Sequence, residues 1–169
     1  MNELLELKKK AKALGLCKDY TDRWNKCESK EDLIHTVLDS NGVEFLCDGV
    51  EFKWGLTHDF IAENFADFIN GNYLCENPKG YSTELYCKFT GEIQARSTIL
   101  VLINVNGEIY IPANAFVKIY MCHSSVRIHN RNGGKVRIIS YGRRNSIGKK
   151  WEIEKVVETS EWRKTAKKE

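Results

Sequence analysis

Residues 99–103 are continuously apolar, and from there the chain settles into short alternating runs. The apolar positions are Ile109 and Ile111; Val117, Ile119 and Met121; Val126 and Ile128; Val136 and Ile138. A period of two predicts strands, and an unbroken apolar run of five predicts a strand buried on both faces. The runs begin 8, 9 and 10 residues apart. Two folds produce such a near-period. One is a β-solenoid, whose rungs each bury a face on the next. The other is an antiparallel β-meander, with Asn106-Gly107 and Gly133-Gly134 as its turns. The solenoid is the preferred reading and the meander the alternative.

The front half follows a different period. Leu4, Leu5, Leu7, Ala11 and Leu14 have helical spacing, and Gly15 stands as a C-terminal cap. Residues 19–27 suggest a second short helix. Ser29 is an N-cap with Asp32 three residues on, so residues 30–39 read as a helix burying Leu33, Ile34, Val37 and Leu38. In 42–52 the string Gly-Val-Glu-Phe occurs twice around Asp48-Gly49, which predicts a β-hairpin. Residues 58–70 read as one helix with Phe60, Ile61, Phe65, Phe68 and Ile69 as its stripe, capped by Thr57 and ended by Gly71. Residues 77–80 are a loop. Leu85, Cys87 and Phe89 open the β region, and Trp151 to Val157 read as its last strand.

The expected fold is therefore α+β: an N-terminal helical region followed by a C-terminal β-repeat sheet. The expected division is a helical cap at 1–41, a hairpin plus helix at 42–84, the β-repeat region at 85–157 and a charged tail at 158–169.

A length of 169 residues with 42% hydrophobic positions supports one real core. No apolar run reaches the ~20 residues that cross a bilayer, and the N-terminus lacks the apolar stretch of a signal peptide. The expectation is a cytoplasmic protein, of the host cell if phage-encoded, with no membrane partner. Cys17, Cys27, Cys47, Cys75, Cys87 and Cys122 have irregular spacing, so reduced and mostly buried thiols are expected, with no metal and no cofactor.

Charge changes the picture most. Residues 1–95 hold 11 basic and 17 acidic side chains, net −6; residues 96–169 hold 15 and 6, net +9. The basic half points to an anionic partner. Within the runs, the residues between the apolar positions are Tyr110; Lys118 and Tyr120; Arg127 and His129; and Lys135 and Arg137. Stacked as neighbours, they would form a ladder of like charges interleaved with rings, which destabilises a sheet unless something anionic offsets it. Arg131, Arg143 and Arg144 extend this surface into loops. Basic groups that follow a backbone, with rings on which bases stack, suit single-stranded nucleic acid, RNA above all. Covering of the outer sheet surface by cross-strand Tyr rings and long Arg stems accounts for the pattern equally well.

Catalysis finds little support. There is no phosphate-binding glycine loop and no zinc-protease motif. His129 near Arg127, or Cys122 beside His123, would be the residues of a small nuclease or hydrolase. The expectation is a non-enzymatic binding protein. A self-associating structural β module, joined through the open end of its sheet, is the alternative.

The strings LKKKAKALGLC, SKEDLI, NGVEF, FIAENF, FTGEIQAR, LVLINVNGEIYIP, VKIYMCHSSVRIHN and KVRIISYG resemble short accessory proteins of Bacteroidetes phages and prophages. The resemblance covers roughly residues 4–148. It implies a mobile-element protein that inhibits a host nucleic-acid-handling or defence complex, for example an RNA-guided nuclease in the manner of an anti-CRISPR. RNA or such a host ribonucleoprotein would be the partner. It transfers no catalytic residues.

Overall fold

The structure, a computed structural model, describes residues 9, 22–23, 25–38, 43–44, 46–47, 50, 58–130, 133–142, 145–148 and the backbone of 155–158. Two helices and eight strands lie within them: α1 (Lys30–Val37), α2 (His58–Asn64), β1 (Cys75–Glu76), β2 (Ser82–Gln94), β3 (Ile99–Tyr110), β4 (Phe116–Cys122), β5 (Ser125–His129), β6 (Lys135–Tyr141), β7 (Ser146–Gly148) and β8 (Lys155–Glu158).

The β region is solenoid-like, with about three turns. From β2 onward each strand pairs in parallel with its counterpart one turn away; the antiparallel pair is β1 with β2. The meander is thereby excluded. Each turn uses two runs, one in each of two limbs. Residues 83–87 of β2, 99–103 of β3, β4, β6 and β8 stack as the first limb. Residues 89–94 of β2, 105–110 of β3, β5 and β7 stack as the second. The near-period of nine is thus half a turn. Ile99 partners Lys118 and Val117 partners Val136, so a full turn takes 19 residues there.

Each turn needs a sharp corner between limbs, and the backbone makes it the same way every time. Lys88, Asn104, His123 and Gly142 all have positive φ, at 52°, 53°, 49° and 80°. The register stacks the first three, because Cys87, Ile103 and Cys122 are successive partners. A left-handed residue turns the chain without breaking its ladder, and glycine or asparagine adopts it at least cost. The amides freed at the bend are satisfied inside. Val105 N donates to Ser124 Oγ (3.0 Å), and Ser124 N donates to Asn145 Oδ1 (2.9 Å). Asn145 Nδ2 in turn donates to the carbonyls of Met121 and Tyr141, both at 3.0 Å.

The inner faces of both limbs form one apolar cluster. Leu100, Leu102, Ile119, Met121 and Ile138 come from the first limb, and Ile93, Ile109 and Ile128 from the second. Burying each such side chain contributes about 1.5–3 kcal/mol before entropy is counted. The outer face of the first limb is also buried. Leu85, Cys87, Val101, Ile103, Tyr120, Cys122 and Tyr141 pack under Leu33, Ile34, Leu46, Ile61 and Phe65 of the preceding helical segments. This is why residues 99–103 are apolar without interruption: one set of side chains faces the solenoid interior, the next faces the helices.

α1 matches its prediction at the start. Asp32 N donates to Ser29 Oγ (3.1 Å), and Glu28 N donates to Asp32 Oδ2 (2.9 Å), a reciprocal cap displaced by one residue. Residues 9, 22–23 and 25–26 are helical and Cys27 is not; the other residues of the two expected N-terminal helices lie outside the described residues, as does Thr57.

Three expectations are corrected. The hairpin at 42–52 is helical at Val43, Glu44, Leu46, Cys47 and Val50. Val43, Leu46, Cys47 and Val50 are spaced i, i+3, i+4, i+7 and are at most 3% exposed. That stripe outweighs the turn signal of Asp48-Gly49. The helix at 58–70 ends at Asn64 and continues as a 3-10 turn at Ala66–Phe68, with Asn64 Nδ2 bonded back to Phe60 O at 2.9 Å. Asn106-Gly107 is no turn but the middle of β3. Gly107 is there for closeness: an added Cβ would stand 2.3 Å from the Gly91 carbonyl oxygen on the neighbouring strand.

Segment 69–76 covers the first limb's edge. Asn70 N donates to Leu85 O (2.9 Å), Asn70 Nδ2 to Cys87 O (3.2 Å), and Cys87 N to Asn70 Oδ1 (2.8 Å). β1 continues the cover, and Asn77 forms the expected loop by accepting from Lys79 N at 2.8 Å. Cys27, Cys47, Cys75, Cys87 and Cys122 are buried, as expected; Cys17 lies outside the described residues. Among the described residues no helix is long and apolar enough to cross a membrane.

Candidate nucleic-acid interface

The basic ladder read from the sequence joins neighbours in chain order. In the fold, neighbours along the chain lie in different limbs, so the ladder divides into two surfaces. Lys118, Lys135 and Arg137 stand on the outer face of the first limb. Tyr110, Arg127 and His129 stand on the outer face of the second. Arg131, Arg143 and Arg144 lie outside the described residues.

On the first limb the like-charge column is real. Lys118 partners Arg137, and Arg137 partners Lys155 in the next turn. Strands in register lie ~4.8 Å apart, so Lys118 and Arg137 are like charges one strand spacing apart. The outer face is roofed by helices over Tyr120 and Cys122 but is open at its start. There Phe116 is 45% exposed, and Lys135 and Arg137 are exposed. The Arg137 guanidinium stands 5.7 Å from the Phe116 ring centroid, and Lys118 Nζ stands 5.1 Å from that of Tyr120. Each is close enough for a cation–π contact. Phe116 was not among the residues singled out from the sequence. Its place in the alternation beside Val117 marks it as outward-facing, which is the signal that could have found it.

Tyr120 is the clearest correction among the candidate residues. It is 2% exposed, with its ring stacked 6.3 Å from Tyr141 beneath the helices. No base can stack on it. Alternation gave its face correctly, but a face is open only if nothing packs on it.

On the second limb basic and acidic residues stand side by side. His129 Nε2 lies 2.9 Å from Glu108 Oε1, and its ring stacks on Tyr110 with centroids 4.5 Å apart and planes 11° from parallel. Arg127 partners Glu108 in register, and Glu108 partners Glu92. This face is mixed in charge.

Between two rows of outward side chains on the second limb runs an open groove of about 540 Å³. One wall is Thr90, Asn106, Ser125 and Ser146, which are successive partners across four strands. The other wall is Glu92, Glu108 and Arg127, ending at Gly148.

Nucleophilic chemistry at Cys122 is closed off. The residue is 0% exposed and its thiol lies 3.7 Å from the Cys47 carbonyl. Among the described residues, no group of three or more His, Cys, Asp or Glu side chains could hold a metal ion. Cys87 is likewise inert: burial pushes its thiol up to about 12. At the nearby corner, Lys88 Nζ bonds Asp59 Oδ1 at 2.6 Å, a contact that lowers the carboxyl's pKa and raises the amine's.

No protein-family model matches the chain, and neither a curated protein nor a solved structure matches it.

Proposed function

We propose that this protein is a non-enzymatic binding protein that takes the backbone of single-stranded RNA on the open end of its first limb. The observation that supports this reading is the register of Lys118 against Arg137 and of Arg137 against Lys155, beside the exposed ring of Phe116. Phosphates of a backbone laid across these strands would meet Lys118 and Arg137 one strand spacing apart. Phe116 supplies the flat surface on which a base stacks. The reading extends to a mobile-element accessory protein that inhibits a host RNA-containing defence complex, such as an RNA-guided nuclease. The resemblance in sequence alone supports that extension.

The test is fluorescence anisotropy with a labelled single-stranded RNA at low and physiological salt. Two or three phosphate contacts predict an affinity loss of roughly 10-fold between 50 and 200 mM salt. The paired variant Lys118→Glu/Arg137→Glu abolishes binding, while Arg127→Glu, on the other limb, leaves it. Absence of binding in both salts, or equal loss in both variants, rejects the interface. The inhibitory extension fails if gel filtration with a panel of RNA-guided nucleases yields no complex.

A further inference from the structure

The groove on the second limb is separate from the basic column, and its chemistry is different. We propose that it binds a neutral, linear oligosaccharide laid across the strands.

Its dimensions come from the sheet itself. Four strands in register give a length of about 14 Å, and alternate outward residues stand about 6.6 Å apart along each strand. That is a shallow trench, about three strand spacings long and one sugar ring wide. Its floor is strand backbone: Gly91, Gly107 and Val126 are successive partners between the walls, at the level where side chains turn to the interior.

The walls decide the occupant. Thr90, Asn106, Ser125 and Ser146 offer short groups that both donate and accept, repeated at every strand. A sugar chain presents hydroxyls with the same dual capacity at every residue. Opposite them, the Glu92 and Glu108 carboxylates accept strongly from hydroxyls, and the Arg127 guanidinium donates. The His129 contact to Glu108 Oε1, at 2.9 Å, fixes that carboxylate's orientation, as a site that recognises a hydroxyl pattern requires. Two carboxylates facing each other across one strand spacing disfavour a phosphate or uronate chain. Arg127 in the adjacent turn disfavours a run of lysines. An uncharged polyhydroxyl chain satisfies both rows without either repulsion.

The experiment titrates the ¹⁵N-labelled full chain with neutral oligosaccharides: β-1,4-glucose, α-1,4-glucose, β-1,4-xylose and β-1,4-mannose chains. Oligogalacturonate and a lysine peptide serve as charged comparators. The expected result is saturable shifts at Asn106, Ser125 and Arg127 with at least one neutral chain, and weaker or no shifts with the charged ligands. Ser125→Trp, an exposed strand position that tolerates an aromatic residue, fills the trench and weakens binding at least about tenfold. The proposal is overturned if no neutral chain shifts these amides, if a charged comparator binds more tightly, or if Ser125→Trp binds unchanged. RNA binding on the first limb is read separately, so the failure of either proposal leaves the other standing.

Discussion

Lys118 on β4 stands directly opposite Arg137 on β6, cation against cation across a parallel ladder. Such pairs cost a sheet roughly 0.2–1 kcal/mol. Reversing one of them should therefore stabilise the free protein. Arg137→Glu is expected to raise the melting temperature by about 1–2 °C in the absence of nucleic acid, measured by scanning calorimetry at low salt. The same change removes RNA binding. A variant that melts lower would mean that the Arg137 contact with Phe116 outweighs the repulsion.

The left-handed corner predicts which substitutions the turn accepts. At Asn104, with φ 53°, a β-branched residue is strained and glycine is not. Asn104→Val should lower stability by about 1–2 kcal/mol, while Asn104→Gly stays near wild type. Urea denaturation of the two variants separates them. If the two lose stability equally, a side-chain contact of Asn104 and not its backbone shape sets the corner.

Glu84 is 1% exposed on β2 and is held by Arg96 Nε at 2.9 Å; among the described residues its Oε1 has no hydrogen-bond partner. Arg96 also bonds the Gly71 carbonyl at 3.2 Å, tying the edge-covering segment to the first turn. Arg96→Met strands a buried carboxylate and should cost about 3 kcal/mol. Glu84→Gln removes the charge and keeps an acceptor for Arg96, so its loss should be clearly smaller. Equal losses in chemical denaturation would show that packing, not charge, dominates the site.

Alkali should destabilise the fold. Burial first, then the nearby Cys75, Glu31 and Asp32, pushes the Tyr73 hydroxyl up to about 12, and burial pushes the Cys87 thiol from 9.0 to about 12. Both groups are neutral when protonated, so the unfolded chain loses these protons first. Stability is then full below about pH 9 and falls as pH rises from 9 towards 12. Tyr73→Phe should flatten the upper part of that fall in urea melts at stepped pH. An unchanged slope would place the pH dependence elsewhere. The native thiol at Cys87 should also resist alkylation at pH 8 and react once the chain unfolds.

The sequence by itself determined much of the β region. Alternation from Leu85 to Ile138 placed the strands, and the continuous run at 99–103 placed the one buried on both faces. Ser29 and Asp32 marked the start of α1. Near-equal spacing favoured a solenoid. These features are local: periods of two and 3.6, caps and breaks arise from neighbours along the chain. Which runs become neighbours is not local. A turn of 19 residues set Lys118 against Arg137 and sent Arg127 to the other limb, where it meets Glu108. A roof of helices buried Tyr120, and the apolar stripe of Val43, Leu46, Cys47 and Val50 joined that roof as helix. Alternation assigns a side chain to a face; only packing decides whether that face meets water. The groove between Thr90 and Glu92, Asn106 and Glu108 exists because residues from successive turns line up at one strand spacing, a relation that appears only once the chain has wound.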